Sequence, residues 1–176
     1  ASASGPNNWY VATTGTNTAN ACQTQASPCQ TISYALLQQA ATLTGGTIHV
    51  AAGTYTEQLS ILPVNDSVKI VGAGSTTVVQ PPASSLLSDT DTDGTNPQYY
   101  VIDVAPTTTG VKLQDLSVNG TNAIGSFDTD GFGCAQDYVG IYYHSASGTI
   151  KDVSVNGIDM PPDLFGCQGG QGIYVN

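Results

Sequence analysis

A short motif of alternating apolar and polar residues recurs four times in this chain and constrains its fold more than any other feature. Each copy runs apolar, polar, apolar and then through a turn that ends in glycine. The copies are Thr47-Ile48-His49-Val50-Ala51-Ala52-Gly53, Ser67-Val68-Lys69-Ile70-Val71-Gly72, Asp115-Leu116-Ser117-Val118-Asn119-Gly120 and Asp152-Val153-Ser154-Val155-Asn156-Gly157. Side chains alternate between the two faces of a strand, so the motif predicts strands with one apolar face. Recurrence of such a unit is typical of stacked-repeat proteins, and we expect the strands to stack in parallel.

Alignment of the four copies predicts two adjacent apolar columns inside the stack. The first column is Ile48, Val68, Leu116 and Val153, and the second is Val50, Ile70, Val118 and Val155. The spacing between copies varies because inserts interrupt the repeat, at residues 80–98, 121–137 and 157–171. Parallel stacking at about 4.8 Å per strand would collect these inserts on one face, where repeat proteins commonly bind their ligands.

A second motif predicts a further column of strands. Its copies are Val101-Ile102-Asp103-Val104, Gly140-Ile141-Tyr142-Tyr143 and Gly172-Ile173-Tyr174-Val175. Their alignment places Asp103, Tyr142 and Tyr174 side by side, facing away from the apolar column. Two stacked tyrosines form a flat platform with polar tips, and we predict that this platform binds a sugar ring or a partner protein. The alternative is aromatic packing between strands beneath an insert.

The N-terminal region differs from the repeats, because it contains the one segment with helical spacing of apolar residues. This segment is 31–40, with Thr31 as its N-cap, and Gly45-Gly46 ends it. Before it lie a first strand and a loop with two cysteines. The even number of cysteines predicts two disulfides, Cys22–Cys29 and Cys134–Cys167, formed in an oxidising compartment. Four free thiols in a cytosolic protein are the alternative.

The stretch from Trp9 to Gly74 resembles the N-terminus of pectin-lyase-like right-handed parallel β-helix proteins of secreted bacterial origin. The resemblance is carried by Trp9-Tyr10-Val11-Ala12, Pro28-Cys29-Gln30-Thr31-Ile32, Ala35-Leu36, Thr47-Ile48-His49-Val50-Ala51-Ala52-Gly53-Thr54-Tyr55-Thr56-Glu57 and Val71-Gly72-Ala73-Gly74. It implies an all-β solenoid, a right-handed parallel β-helix, with an N-terminal capping helix and long inserts on one face. We expect a single domain over 1–176, with the strand, disulfide loop and cap in 1–46 and the repeats in 47–176. The last repeat stops partway, and so we expect the domain to be incomplete at its C-terminus.

Charge excludes several classes of function. The net charge is −10, with three lysines and no arginine, so the chain lacks the basic surface that nucleic acids require. No apolar run is long enough to insert into a membrane. A polar surface with few charges suits a secreted or cell-surface protein, and we expect its partners to be polysaccharides, cell-surface glycans or other copies of the chain.

Catalytic residues are hard to find in this sequence. Glycosidases of the resembled family share clustered aspartates, Gly-His-Gly and Arg-x-Lys, and its lyases use a basic residue beside Ca²⁺; this chain has neither set. The weak candidates are Asp115 and Asp152, which occupy equivalent places in two repeats. Stacked about 5 Å apart, they would have the spacing of a retaining glycosidase pair. The alternative is that both are turn residues.

An acidic segment predicts a calcium site. Asp89, Asp91 and Asp93 alternate before Gly94, a spacing that can wrap a hard cation with oxygen ligands. A shorter version, Asp128 and Asp130, lies in the next insert. A solvated acidic loop is the alternative, and no organic cofactor is expected.

The function that the sequence predicts is therefore a non-catalytic extracellular module, adhesive or structural, that binds carbohydrate and Ca²⁺. One alternative is the N-terminal part of a polysaccharide lyase or glycoside hydrolase whose catalytic repeats follow Asn176. Another is a subunit of an extracellular filament, assembled head-to-tail through the open last repeat.

Overall fold

Parallel strands are the main regular element of the structure, a computed structural model that describes residues 7–42, 45–83, 86–90, 97–123, 137–159 and 170–176. The elements are β1 (Asn8–Val11), α1 (Ile32–Ala40), β2 (Gly46–Val50), β3 (Gly53–Thr56), β4 (Leu59–Ile61), β5 (Val68–Val71), β6 (Thr77–Gln80), β7 (Ser88–Thr90), β8 (Pro97–Val104), β9 (Val111–Asn119), β10 (Asp137–Tyr143), β11 (Gly148–Asn156) and β12 (Gly170–Val175). Short 3₁₀ turns cover Pro63–Asn65, Gly74–Thr76 and Thr121–Ala123. The predicted dominance of β structure is confirmed.

The strands form two sheets. The first has the order β1-β2-β5-β9-β6-β3, with β11 also on β9, and the second has the order β12-β10-β8-β4, with β7 also on β8. Every pair is parallel except β7 with β8. Strand β9 pairs with β5 along its first half and with β6 along its second half. Between these halves, Asp115 adopts a left-handed backbone with φ 53°.

The register corrects both predicted columns between β2, β5 and β9. Ile48 pairs with Ile70 rather than Val68, and Ile70 pairs with Leu113 rather than Val118. The prediction was wrong here because alternating apolar residues permit more than one register, and because β9 carries two apolar pairs, one on each side of its bend. The pairs predicted between the last two copies, Leu116 with Val153 and Val118 with Val155, are confirmed. The second motif is in the predicted register throughout.

The predicted helix is confirmed, and it packs over the N-terminal strands. Its N-cap is Thr31, whose hydroxyl oxygen accepts a hydrogen bond from the Tyr34 amide at 3.2 Å. The helix buries Ile32, Ala35 and Leu36 in the same apolar cluster as Trp9 of β1. The helix therefore packs against the apolar core beside β1.

A carboxylate from the loop after β3 holds the start of this helix. Glu57 accepts hydrogen bonds from the amides of Ile32, at 2.8 Å, and Ser33, at 2.9 Å. These amides have no partner inside the helix, and their dipoles favour a negative charge. Glu57 thus connects the start of α1 to the segment that follows β3.

Replacing Glu57 with alanine should lower the free energy of unfolding by about 1–2 kcal/mol, since two amides lose their acceptor and the helix dipole loses its counter-charge. Urea denaturation followed by far-ultraviolet circular dichroism measures this change. Glu57→Gln is the matched control, because it retains one oxygen acceptor and should lose less. An alanine variant as stable as the wild type would contradict the capping role.

Candidate functional site

An open cleft of about 650 Å³ lies at the C-terminal ends of β1 and β2. Its floor includes Tyr10 of β1 and His49 of β2, and the strand β5 contributes Val71. The loop between β1 and α1 forms another part of the wall, with Thr14 and Gln25 among its lining residues. This volume lies within the range of about 300–1,000 Å³ that small-molecule sites occupy.

Strand pairing fixes the aromatic floor of the cleft. Tyr10 and His49 are partners in the parallel register of β1 and β2. Their rings stack with centroids 5.1 Å apart and planes inclined by 17°. The His49 Nε2 lies 2.9 Å from the Asn8 Oδ1, which orients the imidazole. The result is a two-ring surface held in place by the sheet.

Burial lowers the pKa of His49 from its ordinary value, and the positive charge of Lys69 lowers it further. The imidazole is therefore uncharged at neutral pH. In the neutral tautomer that carries its proton on Nε2, His49 donates a hydrogen bond to the side-chain oxygen of Asn8. The floor of the cleft consequently presents neutral aromatic rings.

The loop wall is held by a disulfide and by backbone hydrogen bonds. Cys22 and Cys29 are bonded to each other, which confirms the first predicted pair, and both are fully buried. The Tyr10 amide donates to the Cys22 carbonyl oxygen at 2.7 Å, and the Cys29 amide donates to the Tyr10 carbonyl oxygen at 2.8 Å. The loop therefore covers the outer edge of β1. The second predicted pair, Cys134 and Cys167, lies outside the described residues.

The cleft is also free of formal charge. The first charged side chain of the sequence is Glu57, so residues 1–56 contain no aspartate, glutamate, lysine or arginine. All the lining residues are uncharged at neutral pH. Sequence reasoning missed this site, because it treated Tyr10 only as part of a strand. The uncharged N-terminal stretch with aromatic residues was the feature that pointed to it.

The predicted tyrosine platform has the expected register but not the expected exposure. Tyr142 pairs with Asp103 on one side and Tyr174 on the other. The tyrosine rings stack with centroids 5.4 Å apart. However, Tyr142 is 0% exposed and Asp103 is 3% exposed, while Tyr174 is partly exposed. Tyr142 belongs to a second apolar cluster with Tyr100 and Val139.

Asp103 and Tyr142 therefore do not form an open platform in the described structure, and the ligand-binding role predicted for them and for Tyr174 stays a prediction. Alternation determines on which side of a strand a residue lies, but it does not determine what packs over that side. The arrangement fits the alternative that we set beside it, aromatic packing between strands. The stack continues to His144, whose ring centroid lies 5.0 Å from that of Tyr142.

The two candidate catalytic aspartates occupy corners of the sheet. Asp115 and Asp152 both have left-handed backbones, with φ of 53° and 51°. Aspartate tolerates this conformation better than most residues, so the backbone conformation explains why aspartate stands at both positions. Asp115 accepts a hydrogen bond from Gln114 Nε2 at 2.7 Å, and exposed Asp152 lies 3.7 Å from Lys151 Nζ. A catalytic role for this pair stays a prediction.

The predicted calcium ligands lie largely outside the described residues. Only the backbone of Asp89 is placed, in β7. The residues whose placement is not described are Asp91, Asp93, Asp128 and Asp130. Across the part of the chain that is described, no group of three histidine, cysteine, aspartate or glutamate side chains has metal-binding geometry. In the same ranges, no helix is long and apolar enough to cross a membrane.

Comparison with known proteins found no matching family model, no matching curated protein and no matching solved structure.

Proposed function

We propose that this chain is an extracellular right-handed parallel β-helix module that binds neutral carbohydrate in the cleft beside Tyr10 and His49, without catalysing a reaction. The parallel registers support the fold proposal. One column of side chains runs through Trp9, Ile48, Ile70, Leu113 and Ile150 on five successive paired strands. Left-handed corners at equivalent points of β9 and β11 bend the chain in the same place in both strands.

Two features support an extracellular location. The buried Cys22–Cys29 disulfide requires an oxidising compartment to form and persist. Charged residues make up only 9% of the chain, so hydroxyl and amide groups take a large share of its polar surface. Such a surface suits contact with sugars.

The aromatic floor of the uncharged cleft is the observation that carries the carbohydrate proposal. Tyr10 and His49 are each partly exposed and lie nearly flat against one another. Each ring covers one face of the other, so a sugar ring would place its C–H groups on a remaining free face, while its hydroxyls bond to polar groups around it. Thr14 and Gln25 supply hydroxyl and amide groups to the lining of the cleft. No charged side chain lines the cleft, so a neutral ligand needs no counter-charge of its own.

Replacing Tyr10 with alanine should weaken glycan binding by about tenfold, because loss of one stacked aromatic costs about 1–1.5 kcal/mol. The assay is a panel of neutral plant, fungal and bacterial polysaccharides, followed by isothermal titration calorimetry on those that bind. Tyr34→Ala is the matched control, since Tyr34 is also a partly exposed tyrosine but lies on α1, outside the cleft. Equal losses in the two variants, or an absence of binding across the panel, would refute the cleft as a sugar site.

The filament alternative has one observation in its favour and one against it. Among the described residues, strand β12 has β10 as its single partner, and its Ile173 and Val175 are 47% and 63% exposed. In a head-to-tail contact, the β12 end of one copy would pair with the β1 end of another copy. The outer edge of β1 is already bonded to the disulfide loop, and α1 covers the core beside it. The carbohydrate-binding proposal therefore has more support.

The enzyme alternative makes a separate prediction. A lyase or hydrolase would release oligosaccharides or unsaturated products from the same polysaccharide panel. Turnover by this chain alone would favour the enzyme alternative over the non-catalytic carbohydrate-binding proposal.

A further inference from the structure

All three lysines of this acidic chain lie on consecutive strands of one sheet and on its outward face. Lys69, Lys112 and Lys151 belong to β5, β9 and β11, which pair in that order. Their inward neighbours Ile70, Leu113 and Ile150 form part of the apolar column. Lys69 and Lys112 are direct register partners, so their Cα atoms lie about one strand spacing, ~4.8 Å, apart.

This lysine pair has no internal counter-charge among the described residues. Lys69 and Lys112 form neither an ion pair nor a hydrogen bond there, whereas Lys151 lies 3.7 Å from the Asp152 carboxylate. Strands β1, β2 and β5 contain no acidic residue, and Asp115, the one acidic residue of β9, accepts a hydrogen bond from Gln114. Like charges placed directly opposite each other on a sheet are destabilising. The pair is therefore a local positive surface on a chain whose net charge is −10.

We propose that Lys69 and Lys112 together bind a tetrahedral oxyanion, the sulfate or phosphate ester group of an extracellular ligand. The two ammonium groups are strongly hydrated point charges on flexible stems. A tetrahedral anion offers oxygens in several directions, so two ammonium groups can bind it from adjacent strands. A planar carboxylate offers its two oxygens in one plane, so two ammonium groups on adjacent strands can share it less readily.

This site is separate from the sugar cleft, although the two are neighbours. Val71, two residues after Lys69 on β5, lines the cleft, but neither Lys69 nor Lys112 does. Binding of the oxyanion therefore does not depend on the stacking of a sugar on Tyr10. A Tyr10→Ala variant should retain it.

The experiment compares biolayer interferometry signals on four immobilised polymers: dextran sulfate, dextran phosphate, uncharged dextran and polygalacturonate. At about 0.1 M salt the Debye length is about 10 Å, so distant carboxylates of the chain are screened while the lysine pair acts locally. The wild type should bind dextran sulfate or dextran phosphate, and which of the two binds more tightly identifies the ester. It should bind polygalacturonate of similar charge density more weakly.

The decisive variant is Lys69→Gln/Lys112→Gln, which should raise the dissociation constant about thirtyfold, at about 1 kcal/mol for each lysine near an anionic surface. Lys151→Gln is the matched control, since its lysine already has a carboxylate partner, and it should change binding less than about threefold. Lys69→Arg/Lys112→Arg retains both charges and should retain binding. Far-ultraviolet circular dichroism checks that every variant is folded.

Three results would overturn the proposal. The first is no binding of the wild type to either charged dextran. The second is an equal loss in the Lys151→Gln variant, which would indicate only a diffuse charge effect. The third is polygalacturonate binding as tight as that of the ester polymers, which would remove the tetrahedral preference.

Discussion

Replacement of Trp9 with alanine is expected to lower the free energy of unfolding by about 3–5 kcal/mol, the usual cost of deleting a buried tryptophan. Trp9 is the only tryptophan and is 1% exposed. It stacks in register on Ile48, packs against Gly46, and shares the core with the buried face of α1. Its removal leaves a cavity at the junction of the first two strands and the capping helix.

Urea denaturation followed by far-ultraviolet circular dichroism measures the Trp9 effect, because the variant lacks the intrinsic tryptophan fluorescence. Leu37→Ala is the control, since Leu37 is a large apolar residue of the same N-terminal region but is 63% exposed. Its loss should stay within about 0.5 kcal/mol. A Trp9→Ala variant that loses less than about 1 kcal/mol would mean that the cap and the first strands contribute little to global stability.

Much of this fold follows from period-2 patterning. The second motif was aligned correctly through all three copies, because each has one apolar pair and no internal bend. The first motif was aligned correctly only where both copies carry the same left-handed aspartate corner, in β9 and β11. The alignment predicted between β2, β5 and β9 was wrong, since apolar alternation alone permits more than one register.

The site was harder to predict than the fold, for a physical reason. Ligand sites depend on which surfaces remain exposed. The alternating pattern of a strand does not show which other segments pack over it. Tyr142 and Tyr10 lie on similarly alternating strands, yet Tyr142 is fully buried and Tyr10 is partly exposed. The lysine pair illustrates the same limit, because Lys69 and Lys112 are 43 positions apart in sequence and meet only through the β5–β9 register.

Removing the disulfide in Cys22→Ala/Cys29→Ala should cost about 2–3 kcal/mol, as expected from the closure entropy of a loop this short. The cysteines are seven positions apart and both are 0% exposed. Their bond fixes the loop whose backbone pairs with Tyr10, so the loss also releases the outer edge of β1. The variant should therefore lose sugar affinity as well as stability.

Thermal or urea denaturation and the glycan titration together test this disulfide effect. Ser27→Ala is the control, because Ser27 lies exposed within the same loop, and its replacement should change stability by less than about 0.5 kcal/mol. Unchanged stability of the double variant would show that the backbone bonds of Tyr10 hold the loop without the disulfide. Reduced stability with unchanged sugar affinity, measured well below the unfolding temperature, would instead separate the loop from the cleft. The sugar would then be bound by the aromatic floor alone, and Tyr10→Ala should account for the whole effect.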